Sequence, residues 1–373
     1  MKNNFFIIII ALVFTKASYS ENLTKQDLLK MSPSQIIVFA NNGDSMAQLW
    51  LGDAIYNGSI PNWKSYSTCE WYYKSAKQNN SEAAFKLYEY LQNFKVGSKI
   101  NDCPKIIGIE RPNLDKNYWL SKAARLNNPR AQLRLYDDTR SSDDKNVNKI
   151  GLRWLKKSVK NNFPPAITQL AHLYLHGSQV KKDIGKAIEL YSRASKLDAK
   201  NDTADRQLAE IYSNQTFLNG MANNDFQLKR GKISQENYES TKKLLKTYDY
   251  TNYFDIQKAI SSAENCIQKG FGFSCYLMII NYYSEKKYNN INYDEALMWL
   301  NEAEDVLKKS DFYPTILTTK GWAYLNWDNL RVNKLKAREY FQKAIDNLKK
   351  SRFASKSKKR IKLYEEWIKK YTY

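Results

Sequence analysis

The side chains best equipped for chemistry in this 373-residue chain are two histidines, four cysteines and 38 acids. His172 and His176 are spaced i, i+4, which puts two imidazoles on one helical face where they could share a metal ion. No Glu follows His172 and no third ligand accompanies the pair, so the HExxH arrangement of zinc hydrolases is absent. A Ser–His or Cys–His nucleophile would have to use one of these same two histidines. The chain has no GxSxG elbow, no GxxxxGK[ST] phosphate loop and no GxGxxG dinucleotide fingerprint. The cysteines form no CxxC pair of the kind zinc sites use. The expectation is a chain with no catalytic residues, no metal and no cofactor.

The cysteines take their meaning from the first twenty residues. Lys2 precedes an apolar run from Phe5 to Phe14, and Ser18-Tyr19-Ser20 places small residues where a signal peptidase reads. The run is too short to span a bilayer. Residues 1–20 therefore read as a secretory signal cleaved after Ser20, and the mature chain is expected to be periplasmic or secreted. An exported chain keeps disulfides. Four cysteines allow three connectivities; pairing Cys69 with Cys103 and Cys266 with Cys275 is favoured because it joins neighbouring helices.

The elements that must position all these groups are repeats. Ala166-x-x-x-Leu170-Ala171-x-x-Tyr174 and Ala204-x-x-x-Leu208-Ala209-x-x-Tyr212 are two copies of one pattern, and weaker copies start at Ala47, Ala83, Ala131, Ser274 and Ile316. A period of this size marks a helical array, and the scarcity of Gly (13) and Pro (8) fits short connections. Each copy reads as one helix bearing small residues, followed by a second helix. The second helices are clearest at Glu70–Ala76, Trp119–Ala124, Trp154–Ser158, Lys186–Ala194, Asp294–Trp299 and Lys336–Ala344. In the fourth copy Asp183 is placed to cap the second helix.

The set Gly43-Asp44, Ala47-Gln48, Leu51-Gly52 and Gly58, with the run from Gly177 through Ala194, resembles the Sel1-like repeat family, relatives of tetratricopeptide repeats. The resemblance runs from about Asn42 to Asn347, with departures: Tyr88 and Tyr136 replace the small residue, and Tyr56 is displaced by one position. It implies an all-α fold, a right-handed superhelical solenoid of about seven antiparallel helix pairs. The expected organisation is N-terminal capping helices over 21–41, the solenoid over 42–347 with insertions at 93–113 and 213–255, and a basic capping helix over 348–373. The family implies a non-enzymatic protein-interaction adaptor, in bacteria often exported to the cell envelope. Secreted members pair cysteines between adjacent helices in a way similar to Cys266 and Cys275.

In tetratricopeptide-like arrays the first helix of each pair lines the concave surface. Positions three and six after the starting small residue are then partner-binding candidates: Trp50 and Asp53, Lys86 and Glu89, Arg134 and Asp137, Gln169 and His172, Gln207 and Glu210, Thr319 and Trp322. The two tryptophans are the expected anchors. The formal charge is +21, and 15 Lys/Arg stand against 4 Asp/Glu in Arg331–Tyr373. That excess points to an acidic protein partner and to weak contact with anionic membrane surfaces through the basic C-terminus, while export argues against nucleic acid. Two further readings compete with the scaffold: a periplasmic immunity protein that inhibits a secreted toxic hydrolase such as a lipase, and an enzyme acting on cell wall or β-lactams.

Overall fold

In the computed structural model the described residues are 23–60, 68–93, 115–214 and 221–372, apart from 199, 201, 222, 226, 230, 231, 271, 286, 287, 328, 329, 331, 352 and 353. The expected signal segment 1–20, most of the 93–113 insertion and Cys103 lie outside them. Among the described residues every regular element is a helix. The chain forms two compact units, one ending at Ala166 and the other starting at Ile167.

The first unit opens with helices Lys25–Leu28 and Pro33–Asn41, whose Leu28, Ile36 and Ala40 bury against Ala47, Leu51 and Trp71 of the first repeat. Three helix pairs follow: Ser45–Tyr56 with Thr68–Lys77, Ser81–Gln92 with Lys116–Arg125, and Pro129–Thr139 with Lys145–Lys160. Small residues let the paired backbones approach. A Cβ on Gly52 would fall 2.6 Å from the Tyr72 ring, so only Gly fits there. In the third pair Tyr136 occupies the same first-helix position and is buried, while Gly151 of the second helix makes room for Thr139. Tyr88 is buried in the same way, and Tyr56, displaced by one position, is exposed.

The second unit holds four pairs: Pro164–His176 with Ile184–Leu197, Thr203–Ser213 with Ile256–Gln268, Gly272–Ser284 with Tyr293–Leu307, and Tyr313–Asn326 with Lys334–Lys350. The helix Lys358–Tyr371 closes it, packing Tyr364 and Ile368 against Phe341 and Leu348. The second helix of the fifth pair carries no family motif, and the structure supplies it at Ile256–Gln268, beyond the insertion.

One local device closes all four pairs. The backbone N–H of the residue capping each second helix donates to the carbonyl of a first-helix tyrosine: Asp183 to Tyr174 (2.9 Å), Asp255 to Tyr212 (2.8 Å), Asn292 to Tyr283 (2.7 Å) and Asn333 to Tyr324 (2.8 Å). Each cap side chain accepts from the N–H three residues on, at Lys186, Lys258, Glu295 and Lys336. In three of the four that third residue is a lysine, and its ammonium lies 5.2–5.6 Å from the tyrosine ring centroid. Capping, loop closure and a cation–π contact are thus delivered by one Tyr…Asx-x-x-Lys pattern.

Cys266 and Cys275 are joined, with a Cα–Cα distance of 6.3 Å, tying the second helix of the fifth pair to the first helix of the sixth. Cys69 is also disulfide-bonded.

Candidate partner-binding site

The first-helix face of the first unit is set by its caps. Asp44, Asn80 and Asn128 each accept a hydrogen bond from the backbone N–H of Ala47, Ala83 and Ala131, at 2.7, 3.1 and 3.0 Å. This fixes helix phase, so the three alanines are fully buried and positions three and six beyond them emerge on the other side.

Those emerging residues link successive repeats. Asp53 accepts from the Tyr72 hydroxyl at 2.6 Å and lies 3.4 Å from the Lys86 ammonium of the next repeat. Glu82 pairs with Arg130 of the third repeat and accepts from the Asn128 amide at 3.0 Å. The Arg130 guanidinium also stands 4.8 Å over the Phe85 ring. Arg134 pairs with Asp138 at 2.9 Å, and Asp137 with Arg140 at 3.4 Å.

Between the first helices of the second and third repeats lies a cleft of about 340 Å³. Phe85, Tyr88, Leu133 and Phe163 make its apolar walls; Glu89, Arg130, Arg134 and Asp137 supply its polar groups. Burial raises the Tyr88 hydroxyl above its ordinary pKa, with the nearby Arg134 charge opposing. Burial likewise raises the Asp137 carboxyl, against the pull of Arg140 and Arg134. Two guanidiniums face two carboxylates here, so the cleft is balanced in charge. The basic excess lies elsewhere, with exposed Lys358, Lys359, Lys362, Lys369 and Lys370 on the terminal helix.

The structure places the other expected residues as follows. Trp50 is half-buried against the N-terminal cluster. Gln169, Gln207 and Glu210 are half-buried in the second unit. His172 is half-buried, its ring stacked 5.8 Å from His176 and edge-on to Tyr191 at 5.7 Å. The Thr319 hydroxyl donates to the Thr315 carbonyl at 2.9 Å. Trp322 is committed to packing: its ring lies 5.5, 5.1 and 5.1 Å from Phe341, Trp367 and Tyr371. Its neighbours Trp367 and Tyr371 are 45 and 49 residues further on, which is why a periodic pattern does not reveal them. Phe85, Tyr88 and Arg130 are cleft residues the register rule missed, because it counts only positions three and six. Glu82 and Arg130, opposite charges at the position before the buried alanine in successive repeats, were the available signal.

Two clusters resemble reactive sites. Ser195, Asp205 and Lys269 form a Ser–acid–Lys group in which the hydroxyl donates to Asp205 at 2.6 Å and the ammonium bonds Asp205 at 2.7 Å and the Ser195 carbonyl at 2.9 Å. Asp205 is fully buried, so the group braces repeats four and five and does not present a nucleophile. Asp202 brings a carboxylate near Cys266 and Cys275, with all three candidate ligand atoms within 4.8 Å of one another. The two sulfurs are bonded to each other, and a metal would need them as thiolates.

Stacked helix pairs and interlocked first-helix faces define an αα repeat scaffold of the kind that binds other proteins. The Sel1 repeat model matches residues 45–80, 117–128, 164–198 and 321–347, so the chain carries Sel1 repeats in these stretches. Such proteins are typically protein-interaction scaffolds. No curated protein matches the chain. Among solved structures it is similar to a Sel1 repeat protein from Oxalobacter formigenes (17% identity, 80% of this chain and 99% of that one, TM-score 0.45). It is also similar to a protective antigen of uropathogenic Escherichia coli with an SLR fold (18%, 85% and 72%, TM-score 0.39). A third likeness is to human IFIT1 solved as a dimer with m7Gppp-AAAA (15%, 87% and 64%, TM-score 0.37).

Proposed function

We propose that this chain is an exported, non-enzymatic scaffold of the bacterial cell envelope that holds a partner protein on the first-helix face of its first unit. The cleft between repeats two and three carries the reading. It offers aromatic walls for one apolar side chain and balanced charges around the rim, which suits a peptide segment of mixed charge. Buried aromatics beside arginine are the commonest energetic centre of protein interfaces. Export rests on the Lys2–Ser20 segment, and the disulfide-bonded cysteines support it.

The test is capture from envelope extract by the full chain, with Glu89→Ala and Arg134→Ala as variants. The expected result is loss of one partner by tenfold or more in either variant, with circular dichroism unchanged. Capture unchanged in both variants overturns the assignment of the cleft. A mature N-terminus other than Glu21 on the protein recovered from cells overturns the expected processing site.

A further inference from the structure

The insertion of repeat five ends in a strap, residues 246–254, that crosses the C-terminal ends of the first helices of repeats four and five. Short helical turns at Lys246–Tyr248 and Thr251–Tyr253 flank Asp249 and Tyr250. Tyr250 is 2% exposed, whereas Lys246 and Thr247 before it and residues 251–254 after it are exposed. The residues of the preceding helix Gln235–Leu245 all keep part of their surface in solvent. A segment that buries a single tyrosine between exposed flanks is held as a docked peptide is held, through one aromatic anchor.

The groove under the strap reads both its main chain and its rings. Lys182, from the turn of repeat four, donates from its ammonium to the Thr247 carbonyl at 2.7 Å. Asn214, which ends the first helix of repeat five, accepts from the Tyr250 N–H at 2.9 Å. Its amide donates to the Thr251 hydroxyl at 3.1 Å and to the Asp249 carboxylate at 3.4 Å. Asn214 takes a left-handed backbone conformation (φ 52°), which asparagine tolerates better than most residues. His176 meets the Tyr248 ring edge-on with centroids 6.2 Å apart, and the Lys182 ammonium stands 6.0 Å from the centre of the Tyr250 ring. Burial, with the Glu210 charge adding to it, pushes the Tyr250 hydroxyl up to about 12. Past Tyr250 the fit opens: Asn252, Tyr253 and Phe254 share a cleft of about 390 Å³ with Gly185, Ile188 and Tyr212.

The seam of repeat five is built from other residues. Its carbonyl, cap and lysine are Tyr212, Asp255 and Lys258, all outside the strap. The strap can therefore leave while the helix pair stays closed, and the vacated groove presents a lysine donor, an asparagine amide and an aromatic recess to another chain.

We propose that this groove between repeats four and five is a second peptide-binding site, independent of the first-unit cleft, and that the strap is its resident internal ligand. The partner segment that displaces it is non-helical and carries an aromatic–acidic–aromatic triplet, matching Tyr248, Asp249 and Tyr250. The Asn214 amide takes the acidic group and the second aromatic's N–H, and Lys182 takes the carbonyl before the first aromatic.

The experiment titrates a labelled peptide of residues 246–254 by fluorescence anisotropy. Its targets are the parent and a full chain carrying Tyr248→Ser with Tyr250→Ser, which vacates the groove. Tethering holds the parent's own strap at a high effective concentration, so the peptide should bind the vacated chain at least tenfold more tightly. Adding Lys182→Met to the vacated chain, or placing Tyr250→Ser or Asp249→Ala in the peptide, should each weaken binding at least tenfold. Equal binding to parent and vacated chain overturns the proposal, as does no binding to a vacated chain whose circular dichroism matches the parent. Parent dimers that Tyr250→Ser abolishes also overturn it, by assigning the groove to a second copy's strap. Should the vacated chain not fold, hydrogen exchange on the parent decides. The Tyr250 amide should exchange at least a hundredfold faster than the protected amides of Ile256–Gln268, and equal rates overturn the proposal by making the strap part of the core.

Discussion

Repeats four and five share one closure and differ in what lies inside it. In repeat four the two helices are separated by Gly177–Asp183, whereas in repeat five the chain leaves at Asn214 and returns to a cap at Asp255. Both end with a tyrosine carbonyl, an aspartate cap and a lysine over the tyrosine ring, at nearly the same distances. Pair geometry is therefore fixed by the few residues at the seam and not by the length between them, which agrees with the slow growth of loop-closure entropy with length. Among the described residues the insertion is anchored near its return. Asn214 accepts from the Tyr250 N–H at 2.9 Å, and the Tyr248 ring lies 6.2 Å from His176 of repeat four.

The comparison can be broken at several places. Repeat five has one tie that repeat four lacks. Replacing Cys266 and Cys275 by Ser should cost about 2.6 kcal/mol on loop-closure grounds, read as a lower urea midpoint for the second unit. No loss would mean that helix packing alone holds the fifth repeat against the sixth. Next in size are the caps. Asp183→Ala and Asp255→Ala should each cost about 1 kcal/mol, and near-equality is the sharp part. A much larger loss for Asp255→Ala would show that the insertion strains its own seam.

Replacing residues 215–245 with a short Gly/Ser linker should change stability by no more than about 1 kcal/mol. A larger loss on thermal melting would mean the insertion is part of the core. The smallest effect is expected from pH. Burial lowers both His172 and His176 below the ordinary imidazole value, helped by each other's charge at His172 and by Lys182 at His176. The unfolded chain takes up these protons first, so stability is complete above about pH 6.5 and declines as pH falls through the folded values. The melting temperature should drop between pH 7.5 and 5.5, and His172→Gln with His176→Gln should flatten that drop.

Much of the fold was legible because alanine and glycine at fixed offsets leave little choice of which face is buried. Ala47, Ala83, Ala131, Ala166 and Ala204 all sit in helix interfaces at no more than 2% exposure. The closing helix of repeat five was not legible from the family pattern, since Ala259, Ala263 and Cys266 resemble any amphipathic segment. The Tyr212…Asp255-x-x-Lys258 match to Tyr174…Asp183-x-x-Lys186 would have located it. The candidate site was legible only in register. The offsets found Glu89, Arg134 and Asp137, but nothing local distinguishes an open tryptophan from Trp322, which is covered by a helix from the far end of the chain.

The close fit at Gly52 has a consequence for descent. A Cβ there would fall 2.6 Å from the Tyr72 ring, so a larger residue can replace the glycine only after the ring opposite has been trimmed. Trimming first opens a gap and costs some stability, whereas adding bulk first forces a collision in a packed interface. The order in which such a pair of positions can change is therefore set by the packing, and the glycine persists for as long as the ring does.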